Sequence, residues 1–488
     1  MKLVLGAPGT GKTTWLLKRI EEAIAAGIAP EDIGFISFTR KAVNEAKDRA
    51  ITKFDFSPDR FPYFRTIHSL SFRQLGVKGQ DMMARENYEE LGERLGLEIC
   101  CRQSVDGTAE DIAKGDKLLG MEALSRMTCR TLREQWEIDD QDIDWYELEY
   151  FAESLHAYKR SQCLHDFTDL LTKYEREGQV PSLRVLFVDE AQDLCRLQWR
   201  IVEKLCACAD TVYIAGDDDQ AIFKWAGADI DYFLNLHADK TILDTSYRLP
   251  EKIHAFSQEI LGNISQRYTK QFKARGAEGS VEWLSGLDDL DLTAGNWLVL
   301  VRNVFLAQRV VEMCRQEGLY YECFGDSPKR SQAVQGAIAW EELRKGSAVS
   351  GVRANIIRQT LTVATRRHIF GFLAKEFEPD ALVSAPPGLP IWHEALDKVP
   401  RAEKEYLIAC LRRGEKLKRN PRIRVSTIHG SKGGECDNVA LFTDISARTW
   451  RSLHRAPDDE YRVFYVGSTR AKENLKIIQP TGRYYIDI

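Results

Sequence analysis

No two of the eleven cysteines stand in a Cys-x-x-Cys pair. Cys206-x-Cys208 and the Cys100-Cys101 doublet have no partners at metal-ligand spacing, so neither zinc nor an iron–sulfur cluster is expected, and the thiols read as reduced and structural. No apolar run approaches the ~18 residues that a membrane span needs. The N-terminal apolar stretch, Leu3-Val4-Leu5, is too short for a signal peptide and runs straight into a glycine-rich segment. No membrane partner is therefore expected, and the expected location is the cytoplasm, bacterial or that of a host. Positive charge is not in excess either: 68 Lys and Arg face 73 Asp and Glu, a net charge of −5. A polyanion would need a locally basic groove. Low-complexity tracts and short-period repeats are also missing.

What is present starts at once. The apolar run leads into Gly6-Ala7-Pro8-Gly9-Thr10-Gly11-Lys12-Thr13-Thr14, and Trp15, Leu16, Leu17 and Ile20 then follow with helical spacing. Strand, glycine-rich loop and helix in that order form the context of a P-loop. Glycines let backbone N–H groups close around a polyphosphate, and the helix N-terminus adds a favourable dipole. Lys12 reaches the β- and γ-phosphates in this reading, and the Thr13 hydroxyl holds Mg²⁺.

Further apolar runs also end in polar residues. Residues 33–39 read as a second strand, followed by a helix start at Arg40. Val185-Leu186-Phe187-Val188 ends in Asp189-Glu190-Ala191-Gln192-Asp193, where Asp189 suits a metal and Glu190 an attacking water. Val212-Tyr213-Ile214-Ala215 ends in Gly216-Asp217-Asp218-Asp219-Gln220, and Gln220 is placed to sense a γ-phosphate. Phe223-Lys224-Trp225 sets aromatics beside a base, the pattern of base stacking with phosphate contact, although a core tryptophan has the same spelling. Residues 77–182 and 336–419 read as mainly helical insertions. The second ends in Arg412, Arg413, Lys416, Lys418, Arg419, Arg422 and Arg424, either a solvated face or a nucleic-acid contact. The expected fold class is α/β, with parallel sheets interrupted by two helical insertions.

As a set, these segments resemble the UvrD/Rep-like superfamily 1 helicases over almost the whole chain. Residues 6–13 are similar to the family's Walker A motif, and Phe38-Thr39-Arg40-Lys41-Ala42 to its F-T-N-K-A segment. Thr66-Ile67-His68-Ser69 resembles T-F-H-S, and Asp166-Phe167-Thr168-Asp169-Leu170-Leu171 resembles D-F-x-D-L-L. Residues 189–193 resemble D-E-x-Q-D, and residues 216–228 resemble G-D-x-x-Q-x-I-Y-x-W-R-G-A. Tyr247-Arg248, residues 427–435 and residues 465–471 complete the series.

The resemblance implies two RecA-like P-loop domains. Domain 1A is expected at 1–76 and 183–243, 1B at 77–182, 2A at 244–335 and 420–488, and a reduced 2B at 336–419. It implies ATP and Mg²⁺ as cofactors, and single-stranded DNA and single-strand/duplex junctions as partners, with a protein partner possible in addition. Lys12, Glu190, Gln220, Arg248 and Arg470 are the implied catalytic residues. Residues 6–14 with Tyr247, Arg248, Glu435 and Arg470 bind nucleotide, Tyr247 by stacking on adenine. Thr13 and Asp189 hold the metal. Phe38, Thr39, Arg40, Thr66, His68, Trp225, His429 and Ser431 contact DNA. The implied activity is a DNA-stimulated ATPase moving 3′→5′ and unwinding duplex. The alternative is an ATP-gated binding subunit of a repair or defence complex.

The chain also departs from the family. No glutamine-bearing adenine motif precedes Gly6, Arg40 replaces an asparagine, and Gly434 and Cys436 replace apolar residues, which predicts weaker packing behind Glu435.

Overall fold

The computed structural model describes residues 1–38, 40–101, 112–138 and 143–488. The chain forms two compact units. The first is built from Met1–Ser280 with Ala447–Glu473 and Ile488, and the second from Val281–Ser446 with Asn474–Asp487.

The first unit is organised on a six-stranded sheet. Its strands are β1 (Lys2–Gly6), β2 (Ile33–Ser37), β3 (Phe64–Arg65), β4 (Leu183–Asp189), β5 (Ala209–Gly216) and β6 (Asp239–Leu243). They run in the order β3-β2-β4-β5-β1-β6, and every pairing is parallel. A parallel sheet is covered on both faces, which is why β1, β2 and β4 read as continuous apolar runs instead of alternating ones. Successive residues nonetheless serve opposite faces. Leu3, Leu5, Leu186 and Val188 pack against Trp199, Ile201 and Leu205 of the helix Arg196–Cys206. Val4, Phe35, Val185 and Phe187 pack against Leu16, Leu17 and Ile20 of the helix Lys12–Ala25.

Register aligns the strand ends: Leu5 lies opposite Gly216, and Ser37 opposite Asp189. The loops after β1, β4 and β5 therefore leave one edge of the sheet together, the place where open α/β sheets bind ligands.

The stretch between β3 and β4 is helical, with Arg85–Leu95, Lys114–Met127, Leu132–Ile138, Trp145–Gln162 and Phe167–Glu177. It has its own core of Leu118, Met121, Leu148, Phe151 and Leu155. Asp166 and Asp169 cap the last of these helices reciprocally, each carboxylate accepting from the other's backbone N–H at 2.6 and 2.9 Å. Residues 139–142, the greater part of the acidic sequence Asp139-Asp140-Gln141-Asp142-Ile143-Asp144, lie outside the described residues.

The second unit carries β7 (Ser280–Leu284), β8 (Trp297–Val301), β9 (Tyr321–Cys323), a two-stranded pair β10 (Val349–Ser350) and β11 (Leu382–Val383), then β12 (Ile423–Thr427), β13 (Cys436–Phe442) and β14 (Ala471–Ile478). Its six-stranded sheet has the order β7-β14-β13-β8-β12-β9, with β13-β8-β12-β9 parallel. Two P-loop-type α/β sheets with helical insertions are the fold class expected from sequence. Packing groups residues 244–280 and 447–473 with the first unit. No helix among the described residues is long and apolar enough to cross a membrane.

Candidate functional site

The loop after β1 turns tightly because Gly9 and Gly11 have φ of 75° and 78°, left-handed values that a side chain resists. The Thr10 hydroxyl donates to the Ala7 carbonyl at 2.9 Å and braces the turn. Lys12 is buried, and its ammonium donates to the Gly6 carbonyl at 2.8 Å, across the mouth of the loop. Thr13 opens the helix and donates to Asp189 Oδ2 at 2.9 Å.

Asp189 is fully buried at the end of β4. Burial first, and the neighbouring Glu190 charge second, push its carboxyl up to about 7. A buried carboxylate beside a hydroxyl and a second carboxylate is a set of hard oxygen donors that suits Mg²⁺ and not zinc. Glu190 itself has a φ of 53°, an uncommon conformation for a residue with a side chain. Its carboxylate accepts from Gln192 Nε2 at 2.6 Å.

The segment around Tyr247 lies directly on the phosphate loop. Ser246 Oγ donates to the Pro8 carbonyl at 2.7 Å, and the Tyr247 N–H donates to the Gly9 carbonyl at 2.9 Å. A Cβ on Gly9 would stand 2.3 Å from Arg248 Cβ, so only glycine admits this approach. The Tyr247 ring is 75% exposed, and Arg248 is half-buried.

Beyond β5, Gln220 sits between opposite partners. Its Nε2 donates to Asp217 Oδ2 at 2.6 Å, and its Oε1 accepts from an Arg470 terminal nitrogen at 3.0 Å. Arg470 is buried, and its Nε donates to the Val466 carbonyl at 2.9 Å. The Asp217 N–H donates to Gln192 Oε1 at 3.0 Å, so the loops after β4 and β5 are joined.

A second cluster lies on the same stretch. Phe38 stacks on Phe223 with ring centres 5.7 Å apart, and Phe223 meets Trp225 edge-on at 6.4 Å. Phe38 and Trp225 are 39% and 37% exposed, so each presents a ring to solvent instead of filling the core. His68 packs edge-on against Phe167 at 6.1 Å, and burial holds its imidazole below the ordinary range.

Residues 1–241 match the UvrD/REP helicase N-terminal domain, and residues 406–481 match the UvrD-like helicase C-terminal domain. The chain belongs to the UvrD/Rep helicase family. It is 24% identical over 310 residues to the ATP-dependent DNA helicase Rep of Buchnera aphidicola, covering 59% of this chain and 45% of that protein. It is 26% identical over 294 residues to the ATP-dependent DNA helicase PcrA of Bacillus subtilis, covering 57% and 39%. The chain thus spans less than half the length of these curated relatives.

Within this UvrD/Rep-type chain, the residues expected at the nucleotide site fall into two groups. Residues 6–14, Asp189, Glu190, Gln220, Tyr247, Arg248 and Arg470 all belong to the first unit, whereas Glu435 is exposed on the second. Of the residues expected to contact DNA, Phe38, Arg40, Thr66, His68 and Trp225 belong to the first unit, and His429 and Ser431 to the second. Arg40 is exposed. Thr66 caps the helix Ile67–Gln74 by accepting from the Ser69 N–H at 3.3 Å. Ser431 Oγ donates to the Ile428 carbonyl at 2.7 Å, and His429 is buried. Thr39 lies outside the described residues. Lys224 pairs with Asp459 at 3.0 Å.

Cys436 is buried at the start of β13, next to exposed Glu435. Three of the seven cations of the basic run pair with carboxylates of their own unit: Lys418 with Glu342 at 2.7 Å, Arg422 with Glu415 at 2.9 Å, and Arg413 with Glu317 at 3.6 Å. These pairs favour the solvated-face reading of that run.

Sequence reasoning missed Arg267 and Lys270. Arg267 forks onto Asp219 with two bonds of 2.7 Å, and buried Lys270 meets Asp217, Asp218 and Asp219 together. The only prior signal was charge: three consecutive carboxylates after a buried strand require cations, but nothing local says which ones.

Proposed function

We propose that the chain is an ATP-dependent DNA helicase or translocase that moves 3′→5′ on single strands and unwinds duplex. One observation carries the reading: Thr13, Asp189, Glu190, Gln220 and Arg470 lie in one unit, with Gln220 and the Phe223–Trp225 aromatic pair on one short stretch. The names of the Rep and PcrA relatives point the same way.

In this mechanism the phosphate loop and Lys12 hold the β- and γ-phosphates of ATP. Thr13 and Asp189 hold Mg²⁺, which when bound neutralises phosphate charge. Glu190 orients the attacking water and takes its proton, kept in place by the Gln192 amide. Arg470 and Arg248 stabilise charge on the transferring phosphoryl group. Tyr247 stacks on adenine. Phosphate status passes through Gln220 to Trp225 and alters the grip on a base stacked there. Phe38, Arg40, Thr39, Thr66 and His68 extend that grip, while His429 and Ser431 add strand contacts and Glu435 a nucleotide contact. The proposed location is the cytoplasm, bacterial or that of a host. The domain boundaries given under Sequence analysis belong to the same proposal.

The test is steady-state ATPase with and without single-stranded DNA, alongside unwinding of 3′-tailed and 5′-tailed duplexes. Strong stimulation with unwinding from the 3′ tail is expected. Stimulation without unwinding reduces the protein to a translocase, and turnover indifferent to DNA overturns the motor reading.

A further inference from the structure

We propose that Asp217 and Lys270 are positioning residues that set the direction in which the Gln220 amide faces, and thereby hold the amide oxygen toward Arg470. The proposal rests on the ATP-hydrolysis reading and adds to it Asp217, a motif residue given no role above, and Lys270, which lies outside the motifs.

The argument is one of donor and acceptor polarity. An ionised carboxylate only accepts hydrogen bonds, and ammonium and guanidinium groups only donate them. Lys270 Nζ donates to Asp217 Oδ1 at 2.8 Å. The second oxygen, Asp217 Oδ2, accepts from Gln220 Nε2 at 2.6 Å. The opposite end of that amide accepts from Arg470 at 3.0 Å. An amide can be turned end for end at nearly constant shape, but here each end meets a partner of fixed sign. Only one of its two orientations satisfies both. Donors therefore converge on Asp217 from both sides, Lys270 directly and Arg470 through the Gln220 amide, and every donor meets an acceptor through atoms shielded from water.

Lys270 keeps the series in this state. Asp217, Asp218 and Asp219 are all fully buried, and Lys270 is 4% exposed. Burial opposes ionisation of Asp217, yet the Lys270 ammonium, followed by Lys12, holds its carboxyl below the ordinary range. A neutral Asp217 could donate as well as accept, and the amide would lose its fixed direction. Arg267 on Asp219, and the Tyr268 N–H on Asp218 at 2.7 Å, occupy the other two carboxylates, leaving Asp217 to face Gln220.

The decisive variant is Asp217→Asn. Lys270 only donates, so it draws the new carbonyl oxygen to itself and turns the new amide nitrogen toward Gln220. The Gln220 oxygen must then face position 217, and its nitrogen faces the Arg470 guanidinium, donor against donor. Asp218→Asn removes the same charge from the same cluster without touching Gln220 and serves as the control.

Measured on the full chain with saturating single-stranded DNA, Asp217→Asn is expected to lower kcat at least tenfold and to leave KM for ATP within threefold. Asp218→Asn stays within threefold in kcat. Asp217→Asn combined with Gln220→Ala is no slower than Gln220→Ala alone. Equal losses in the two asparagine variants, or additive losses in the double variant, overturn the proposal. The second measurement needs no stable variant at position 217. In ¹⁵N-glutamine-labelled wild type, the Gln220 side-chain amide (assigned by its disappearance in Gln220→Ala) is expected to exchange slowly with solvent. Exchange at the rate of an exposed amide overturns the proposal. This readout does not depend on turnover, so a wild type without DNA-stimulated ATPase would count against the parent reading alone.

Discussion

The guanidinium of Arg470 donates to the Gln220 amide oxygen at 3.0 Å, across a sequence separation of 250 residues. The same side chain reaches Val466 through Nε, so its plane is fixed at two points. Lysine offers no second donor at that angle. Arg470→Lys should therefore behave like Arg470→Ala, with kcat down by about 10²-fold or more and ATP affinity little changed. Single-turnover hydrolysis with a parallel nucleotide-binding titration checks it, and near-normal turnover in the lysine variant would show that charge alone suffices.

Glu190→Gln should stop hydrolysis while ATP still binds. The change preserves shape but removes the proton acceptor, and general-base catalysis is worth about 10²–10⁴-fold. Lys12→Ala should also abolish turnover, through lost phosphate contact. Substantial turnover by purified Glu190→Gln would reassign the base.

Trp225→Ala should weaken single-strand binding and spare ATP binding. Stacking is worth about 1–3 kcal/mol per base, so affinity should fall by roughly 5- to 150-fold, with little dependence on base identity. Fluorescence anisotropy with homopolymer oligonucleotides reads this directly. Phe223→Ala should follow in part, because Phe223 packs between Phe38 and Trp225. Unchanged affinity in Trp225→Ala would make the exposed ring a surface feature without a ligand.

Acid should loosen the helical insertion of residues 77–182. Asp166 is buried and accepts from Lys159 at 2.6 Å and from Arg126 at 2.7 Å. Burial opposes its ionisation, and those two cations outweigh the effect, holding its carboxyl well below the usual range. A depressed folded-state value gives stability that is fully present above the unfolded value near pH 4 and is lost progressively as pH falls from there toward the lower folded-state value. Urea midpoints should therefore drop between pH 7 and pH 3, and the drop should be shallower in Asp166→Asn. Asp166→Ala should cost roughly 3 kcal/mol at neutral pH, the low end for a broken buried pair, since buried Lys159 and part-buried Arg126 each lose one partner but keep Asp169. A flat wild-type profile would remove this cluster from the account.

The parts legible in the sequence were those written contiguously. The turn at Gly9 and Gly11, the carboxylates after β4 and the glutamine after β5 each follow an apolar strand directly, so local pattern and chemistry coincide. The parts that were not legible depend on pairing across distance. Gln266-Arg267-Tyr268-Thr269-Lys270 reads as an ordinary polar loop, and only folding reveals that Lys270 is buried against three carboxylates. The basic run near residue 420 was open between a solvated face and a nucleic-acid contact, because its partners Glu342, Glu415 and Glu317 lie far away in the sequence. Trp225 was open between core and platform because composition does not encode exposure.

The first unit is assembled from chain segments far apart in the sequence, and Arg470 is among the last residues to join it. During synthesis at ~5–20 residues per second, the interval between the phosphate loop and Arg470 leaving the ribosome is on the order of tens of seconds. A nascent chain halted before residue 447 has its phosphate loop but lacks the arginine that faces Gln220. On the proposed roles of these residues, nucleotide is held early and spent only late, and a truncated product is expected to bind ATP without hydrolysing it.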